Sequence, residues 1–381
     1  MRNGSREPEK GISTFNLGIG KDDGTGLYVG PDWIDANADG KADSMNHGDA
    51  GFPVSYMRSL PNNEHQVTIH VNFGMQSGVA GQLPDGSYYV EGHESSALGL
   101  VWEGYATKNG GDPVADLTSD ALPTTIQNED LAIDWHITRL VAGLSDTVSA
   151  PSSTNHLYVT GGAADNAYET VLDIGCRSAK GLRPAEAGEL NPGAVTANQR
   201  VVDAVWSAFS DPTKDVTRVL GGNPLSYSHL LDIDDHPLFG FSVEQMLALA
   251  SGRGQCTAWA DLLNRALAAQ GIASHTIFVN PAFTYIKFAV KPMPAQGSSG
   301  ADYQPGTQPR GGFVLHQIVR IDCMPDSLYD PSYGSVTTKT DARSAERKYE
   351  DRYITDLATL IGNRIQWLPD DHTRLSLRFQ P

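Results

Sequence analysis

Residues 251–263, Ser-Gly-Arg-Gly-Gln-Cys-Thr-Ala-Trp-Ala-Asp-Leu-Leu, join a glycine-rich turn to a segment with helical periodicity. Apolar residues follow Cys256 at the spacing of one buried helix face. We therefore predict a helix over Gln255–Gln270 that begins at about Cys256. Gly271 is well placed to cap its C-terminal end.

Cys256 lies in the first turn of this predicted helix. A helix N-terminus carries partial positive charge and favours a thiolate, which is the form that attacks acyl carbons. Gly252 and Gly254 would let a substrate backbone approach the sulfur. The alternative is that Cys256 is a small apolar residue packed under the helix.

A nucleophilic thiolate needs a base, usually histidine, which a third group orients. His316 lies on a predicted apolar strand over Gly312–Asp322, and Asp330 ends a second predicted strand, Ser327–Asp330. A tight hairpin centred near Pro325 would not bring Asp330 to His316. The alternatives are a core histidine and an aspartate that only shapes a turn.

The order of these segments resembles the transglutaminase-like superfamily of cysteine enzymes over roughly residues 198–335. The matching pieces are Gly254-Gln255-Cys256, Ala260-x-Leu262-Leu263, the turn at Gly271-Ile272, His316, and Tyr329-Asp330-Pro331-Ser332-Tyr333. The resemblance implies that Cys256 is the nucleophile, His316 its base and Asp330 the orienting group. It also implies a papain-like α+β fold, in which the cysteine helix packs against an antiparallel sheet. Some bacterial exported proteins join such a domain to a β-sandwich.

The donors that would bind a developing oxyanion are less evident in the sequence. The backbone N–H of Cys256 is the default donor. Tyr227 and His229 lie upstream, where a second donor could originate.

The predicted organisation is multi-domain, with a catalytic domain over residues 198–381, a linker over 166–197 and an all-β domain over 1–165. Within the linker, Tyr168–Ile174 has the apolar content of a short strand. The first 165 residues contain short alternating segments bounded by turn residues, which is typical of an Ig-like β-sandwich. The predicted strands include Gln66–Phe73, Leu131–Ile137 and His156–Thr160, and residues 145–155 are predicted to be an exposed loop.

The sequence of residues 35–43 has the ligand spacing of a calcium loop. Oxygen ligands would come from Asp35, Asn37, Asp39 and Asp43, and from the backbone carbonyl of Lys41. Position 12 is not the glutamate of an EF-hand, so we predict a structural calcium ion of the extracellular repeat type. The alternative is an ion-free polar turn.

Charge and cysteine content limit the classes of partner. The net charge of −17 disfavours nucleic acid, and no apolar run is long enough to span a membrane. Three cysteines are too few for a disulfide scaffold, although Cys176 and Cys323 could pair in an exported protein. The polar N-terminus lacks the apolar core of a signal peptide. We expect a secreted or cell-envelope protein whose signal has been removed.

The sequence thus predicts acyl transfer on peptide or glutamine side-chain amides through a Cys256 thioester, without a catalytic cofactor and with hydrolysis favoured over cross-linking. The substrate would be a protein or peptide. The alternative is a non-enzymatic extracellular adhesion or binding module with an inactive transglutaminase-like domain. A calcium-stabilised scaffold protein is a third reading.

Overall fold

The computed structural model describes much of the chain outside the N-terminal 54 residues. The described residues are 14–16, 55–61, 63–73, 85–95, 97–110, 113–141, 144–164, 168–186, 189, 191–212, 214, 216–219, 222, 224–227, 242–248, 252–281, 286–290, 295–297, 315–339, 345–346, 348–349, 354–361, 364–367 and 377–380. They group into two compact units, with a boundary between Glu189 and Leu190. The three residues Ala269–Gly271 group with the first unit.

In the described residues, the first unit contains eight strands and one helix. They are β1 (Thr14–Asn16), β2 (Ser55–Met57), β3 (Gln66–Asn72), β4 (Gly86–Glu94), β5 (Val101–Lys108), β6 (Val114–Ala121), β7 (Gln127–Val141), β8 (Leu144–Thr160) and α1 (Glu169–Ser178). Hydrogen bonds join all eight strands in one sheet of order β1-β3-β6-β5-β4-β7-β8-β2. Alternate residues of β3 to β8 form one buried hydrophobic core.

This sheet is strongly curled. Three strands lie between β3 and β7 in the sheet order, which would separate them by about 19 Å in a flat sheet. Yet Phe73, which follows β3, contacts Trp135 of β7 with ring centroids 5.9 Å apart. The register shift opposite Ile133 and Trp135 leaves one extra residue on β8, and a bulge of this kind bends its strand and increases the local twist.

The single curled sheet corrects the prediction of a two-sheet sandwich. Alternation shows which residues face the core, but it does not show which strands pair. The predicted loop over residues 145–155 is also wrong, because these residues belong to β8. Pro151 lies where the register with β7 shifts, between the Ala150 and Ser153 pairs. A strand tolerates proline at a bulge, since no ladder hydrogen bond is required there.

The segment predicted as a linker contains α1 and the beginning of α2, and the predicted strand Tyr168–Ile174 is part of α1 instead. Val171, Leu172 and Ile174 are fully buried. A short apolar run fits either a strand or a buried helix, and here the helix forms. The predicted domain boundaries stay predictions.

The second unit contains the remaining helices and strands. They are α2 (Pro192–Ser207), β9 (Ser226–Tyr227), α3 (Val243–Ala248), β10 (Arg253–Gly254), α4 (Cys256–Ala269), β11 (Ser274–Pro281), β12 (Ile286–Val290), β13 (His316–Ile321), β14 (Ser327–Asp330), β15 (Ser335–Thr338), β16 (Ile354–Ile361), β17 (Arg364–Trp367) and β18 (Leu377–Gln380). Its main sheet has the order β15-β14-β13-β11-β18. Two smaller sheets have the orders β12-β16-β17 and β10-β9.

Side-chain hydrogen bonds attach α4 to the main sheet. Asn264 of α4 donates to the hydroxyl of Thr276 on β11 at 3.0 Å, and it accepts from the hydroxyl of Ser274 at 2.8 Å. Leu263 and Leu267 on the helix are fully buried. These contacts fix the helix that begins at Cys256 relative to the strand next to β13. Within the described residues, no helix is long and apolar enough to cross a membrane.

Candidate active site

The turn before α4 places Cys256 at the first residue of the helix. The N–H of Trp259 donates to the carbonyl of Gln255 at 3.1 Å, which begins the helical hydrogen bonding. Free N–H groups of this first turn give the helix start a partial positive charge. Cys256 is only 7% exposed. Its sulfur therefore lies in a largely desolvated position at the positive end of a helix.

Gly254 has a packing role that the sequence did not indicate. A Cβ atom at this position would lie 2.3 Å from the sulfur of Met246 on α3 and 3.0 Å from the Cβ of Ala258. The missing side chain therefore makes room for α3, rather than only for a substrate backbone. Gly252 has a φ of +59°, a left-handed conformation that favours glycine. Together these two glycines shape the turn that leads into Cys256.

The structure brings His316 and Asp330 together. The pairs between β13 and β14 are Val319 with Tyr329 and Arg320 with Leu328. The same register, extended by two positions along β14 from Leu328, places Asp330 opposite Ile318. His316 lies two residues from Ile318 on the same face, so Asp330 is its diagonal neighbour. A turn centred at Pro325 would have left Asp330 farther along the sheet from His316. The observed register is shifted from that arrangement, and it brings the two residues close together.

The buried carboxylate of Asp330 accepts three hydrogen bonds. Nε2 of His316 lies 2.8 Å from Oδ2, and the hydroxyl of Tyr349 donates to the same oxygen at 2.7 Å. The backbone N–H of Ser332 donates to Oδ1 at 3.2 Å. A carboxylate only accepts, so Nε2 of His316 carries the proton of its bond. Both oxygens of Asp330 are therefore held, which fixes the carboxylate and the plane of the imidazole.

Opposing effects act on the protonation of His316. Burial of the ring lowers its pKa, but the charge and hydrogen bond of Asp330 raise it, and Cys256 raises it further. The result is a pKa raised to about 10. Cys256 is thus a neighbour of the ring that adds to the effect of Asp330. The balance of these effects favours the protonated imidazole in the folded protein.

Two buried tyrosines lie beside this set. The rings of Tyr227 and Tyr333 are 5.3 Å apart, and the ring of Tyr333 is 5.7 Å from His316. Burial raises the pKa of both phenols, and the charges of Cys256 and Asp330 act in the same direction. Both phenols are therefore within electrostatic reach of the thiol. The role of Tyr227 as an oxyanion donor stays a prediction.

A short segment around Gln296 connects the two tyrosine-bearing regions. Its backbone N–H donates to the carbonyl of Ser332 at 3.0 Å, and its carbonyl accepts from the N–H of Tyr227 at 2.8 Å. The side-chain amide donates to the carbonyl of Phe209 at 2.5 Å. Gln296 is fully buried. It therefore links β9, near the thiol, to the turn that follows Asp330.

The other two cysteines have different surroundings. Cys176 is fully buried on α1, and burial raises its pKa to about 12. Cys323 is partly exposed, and partial burial raises its pKa as well. All three cysteines are free thiols. Among them, Cys256 has a fully buried histidine–aspartate pair as its neighbour, whereas the histidine–aspartate pair beside Cys323 is exposed.

Several predicted residues lie outside the described residues. They are the calcium-loop residues Asp35, Asn37, Asp39, Lys41 and Asp43, and the second candidate donor His229. Within the ranges that the structure describes, no group of three or more His, Cys, Asp or Glu side chains could hold a metal ion.

Sequence reasoning missed Tyr349 and Gln296 at this site. Both lie in polar segments without periodicity, and each reaches the site through tertiary contacts. Tyr333 belongs to the motif Tyr329-Asp330-Pro331-Ser332-Tyr333, but its position in that motif did not predict its contact with His316.

Comparisons with known proteins give limited information. No protein-family model matches the chain, and no curated protein sequence matches it. Among solved structures, the crystal structure of red sea bream transglutaminase is similar at a TM-score of 0.31 and 11% sequence identity. The match covers 73% of this chain and 49% of that one, so the chain spans about half the length of the transglutaminase. A similarity of this extent supports no conclusion about activity.

Proposed function

We propose that the chain is a thiol-dependent acyl-transfer enzyme that acts on amide bonds through Cys256. The observation that carries this proposal is the buried bond from His316 to Asp330 at 2.8 Å, with Cys256 as a neighbour of the same imidazole. A structural histidine does not require a buried carboxylate on one side and a thiol at a helix N-terminus on the other. This combination is what nucleophilic catalysis by a thiol requires.

In the first step, the Cys256 thiolate attacks the carbonyl carbon of an amide. A carbon–sulfur bond forms, and negative charge develops on the carbonyl oxygen, which the backbone N–H of Cys256 can stabilise. His316 then transfers its proton to the leaving nitrogen as the carbon–nitrogen bond breaks. The products are a thioester on Cys256, a free amine or ammonia, and a neutral His316 that Asp330 still orients.

In the second step, the neutral imidazole of His316 takes a proton from water, and the resulting hydroxide attacks the thioester. The carbon–sulfur bond breaks, the acid product leaves, and the thiolate and imidazolium are restored. A lysine amine in place of water would give an isopeptide cross-link. Hydrolysis is the proposed outcome, because the sequence contains no feature dedicated to an amine acceptor.

The proposal also covers the substrate, the calcium loop and the location of the protein. Protein or peptide amides are the proposed substrates, and the reaction above requires no cofactor. The calcium loop over residues 35–43 would have a structural role. The acidic chain, with its net charge of −17, suits a secreted or cell-envelope location and does not suit nucleic acid.

The first test uses an activated ester, which avoids the need to know the natural substrate. The full chain is mixed with p-nitrophenyl acetate, and the acetylated residue is located by peptide mass spectrometry. We expect an acetyl thioester on Cys256, no thioester in the Cys256→Ala variant, and an unchanged thioester in the Cys323→Ala control. Acetylation of Cys323 alone, or of lysines alone, would contradict the proposal.

A second assay separates the amide classes. A benzyloxycarbonyl-Gln-Gly dipeptide releases ammonia if the side-chain amide reacts, and denatured casein yields new amino termini if peptide bonds are cleaved. Hydroxylamine added to either reaction traps the thioester as a hydroxamate. The binding-module alternative predicts that none of these products depends on Cys256.

A further inference from the structure

Tyr349 shares an oxygen atom with the proposed catalytic histidine. Its hydroxyl donates to Oδ2 of Asp330 at 2.7 Å, and Nε2 of His316 lies 2.8 Å from the same Oδ2. Tyr349 is only 1% exposed, and both partners are fully buried. Two donors on one buried oxygen compete for its charge, because nearby water does not screen them.

The segment that carries Tyr349 is attached to the same sheet. The hydroxyl of Thr337 on β15 donates to the carbonyl of Ala345 at 3.4 Å. On β15, Ser335 pairs with Asp330 itself. Ala345 and Tyr349 are both buried. The phenol therefore reaches Asp330 from a buried position close to a residue that is itself bonded to β15.

We propose that Tyr349 is a positioning residue that weakens the hold of Asp330 on the imidazolium proton of His316. The positive end of the phenol O–H dipole points at the oxygen that binds the imidazolium, and it opposes the positive charge of the ring. The N–H of Ser332 holds the other oxygen at 3.2 Å, so Asp330 stays oriented while Tyr349 reduces its pull.

Other titratable groups also lie near His316 in the part of the chain that the structure describes. Asp330 on β14 and Cys256 on α4 both raise the pKa of the ring. Tyr333, in the turn after β14, contacts the ring from a third side. Tyr227 on β9 lies behind Tyr333. The hydroxyl of Tyr349, by contrast, donates directly to Asp330.

This inference rests on the proposed function for its consequence. A general acid is most effective when its pKa lies near the working pH. The amine that leaves an amide needs the proton of His316, whereas p-nitrophenolate leaves an ester without it. Removal of the phenol hydroxyl should therefore slow amide cleavage and leave acetylation by p-nitrophenyl acetate nearly unchanged.

The decisive measurement follows the ring nitrogens of His316 by NMR in the full chain, with Cys256→Ala as background so that Cys256 does not act on the ring. We expect Tyr349→Phe to raise the pKa of His316 by roughly half to one pH unit. The matched control is Tyr329→Phe, which removes a hydroxyl from a buried tyrosine that packs on Trp206 at 5.1 Å. The control should leave the pKa of His316 unchanged.

A second variant reverses the perturbation. Site-specific 3-fluorotyrosine at position 349 makes the phenol a stronger donor with almost no change in volume, and it should lower the pKa of His316. If Tyr349→Phe does not fold, this variant alone tests whether the hydroxyl of Tyr349 affects the pKa of His316. An unchanged or lowered pKa in Tyr349→Phe, or an unchanged or raised pKa with 3-fluorotyrosine, would overturn the inference. These results do not depend on whether Cys256 is a nucleophile, so failure of the proposed function is detected separately.

Discussion

The histidine–aspartate pair should make the stability of the protein depend on pH in a defined direction. The pKa of His316 is raised from 6.5 to about 10 in the folded protein. A raised pKa contributes stability that is fully present below about pH 6.5 and is lost as pH rises through about 10. Within this window the free energy of unfolding falls by about 1.4 kcal/mol per pH unit. Between pH 7 and pH 9 the loss is therefore as much as about 3 kcal/mol.

Urea unfolding of two full-length variants measures this loss. Cys256→Ala serves as the reference, because it removes the effect of Cys256 on the imidazole, and Cys256→Ala with His316→Gln lacks the imidazole. We expect the stability difference between them to shrink from pH 7 to pH 9. The 3 kcal/mol figure is an upper limit, since removal of Cys256 takes away part of what raises the pKa. A difference in the free energy of unfolding that stays constant from pH 7 to pH 9 would contradict a raised pKa of His316 in the folded protein.

Two further substitutions test the surroundings of the site by urea unfolding. Asp330→Asn replaces one accepting oxygen with an amino group, so at least one of the three donors loses its acceptor. We expect the free energy of unfolding to fall by about 1–3 kcal/mol. Unchanged stability would exclude the three-donor arrangement. Gly297→Ala places a Cβ atom 2.5 Å from the carbonyl oxygen of Leu225, at a residue with a φ of +64°. Gly222 has the same φ, but a Cβ atom there would meet nothing within 4 Å. We therefore expect Gly297→Ala to destabilise the protein more than Gly222→Ala. Equal losses in the two glycine variants would contradict this packing.

Three local features of the second unit, near Cys256 and Asp330, were predictable from the sequence. Helical spacing after Cys256 indicated a helix over residues 255–270, and α4 spans Cys256–Ala269. Gly271 was predicted as its cap and has a φ of +74°. The predicted strand Ser327–Asp330 has the same bounds as β14. These features depend on neighbouring residues, so periodicity and turn chemistry are sufficient to indicate them.

Features that depend on strand pairing were not predictable. Alternation in the first unit identified buried faces but not the single curled sheet, whose closure depends on contacts such as Phe73 with Trp135. Hairpin arithmetic placed Asp330 too far from His316, because the register depends on where the turn closes. Tyr349 reaches Asp330 only through tertiary packing. The candidate residues Cys256, His316 and Asp330 could be named from the sequence, while the contacts that orient them could not.

The most direct test of the account is the relative alkylation rate of the three cysteines in one folded molecule. Iodoacetamide is applied at pH 6, and each cysteine is followed by peptide mass spectrometry. Exposure alone predicts that Cys323, which is partly exposed, reacts before Cys256, which is 7% exposed. We predict that Cys256 reacts first, because an imidazolium and a helix N-terminus favour its thiolate, and that His316→Gln slows this reaction at least about tenfold. A faster reaction at Cys323, or no effect of His316→Gln, would contradict the thiolate–imidazolium pair.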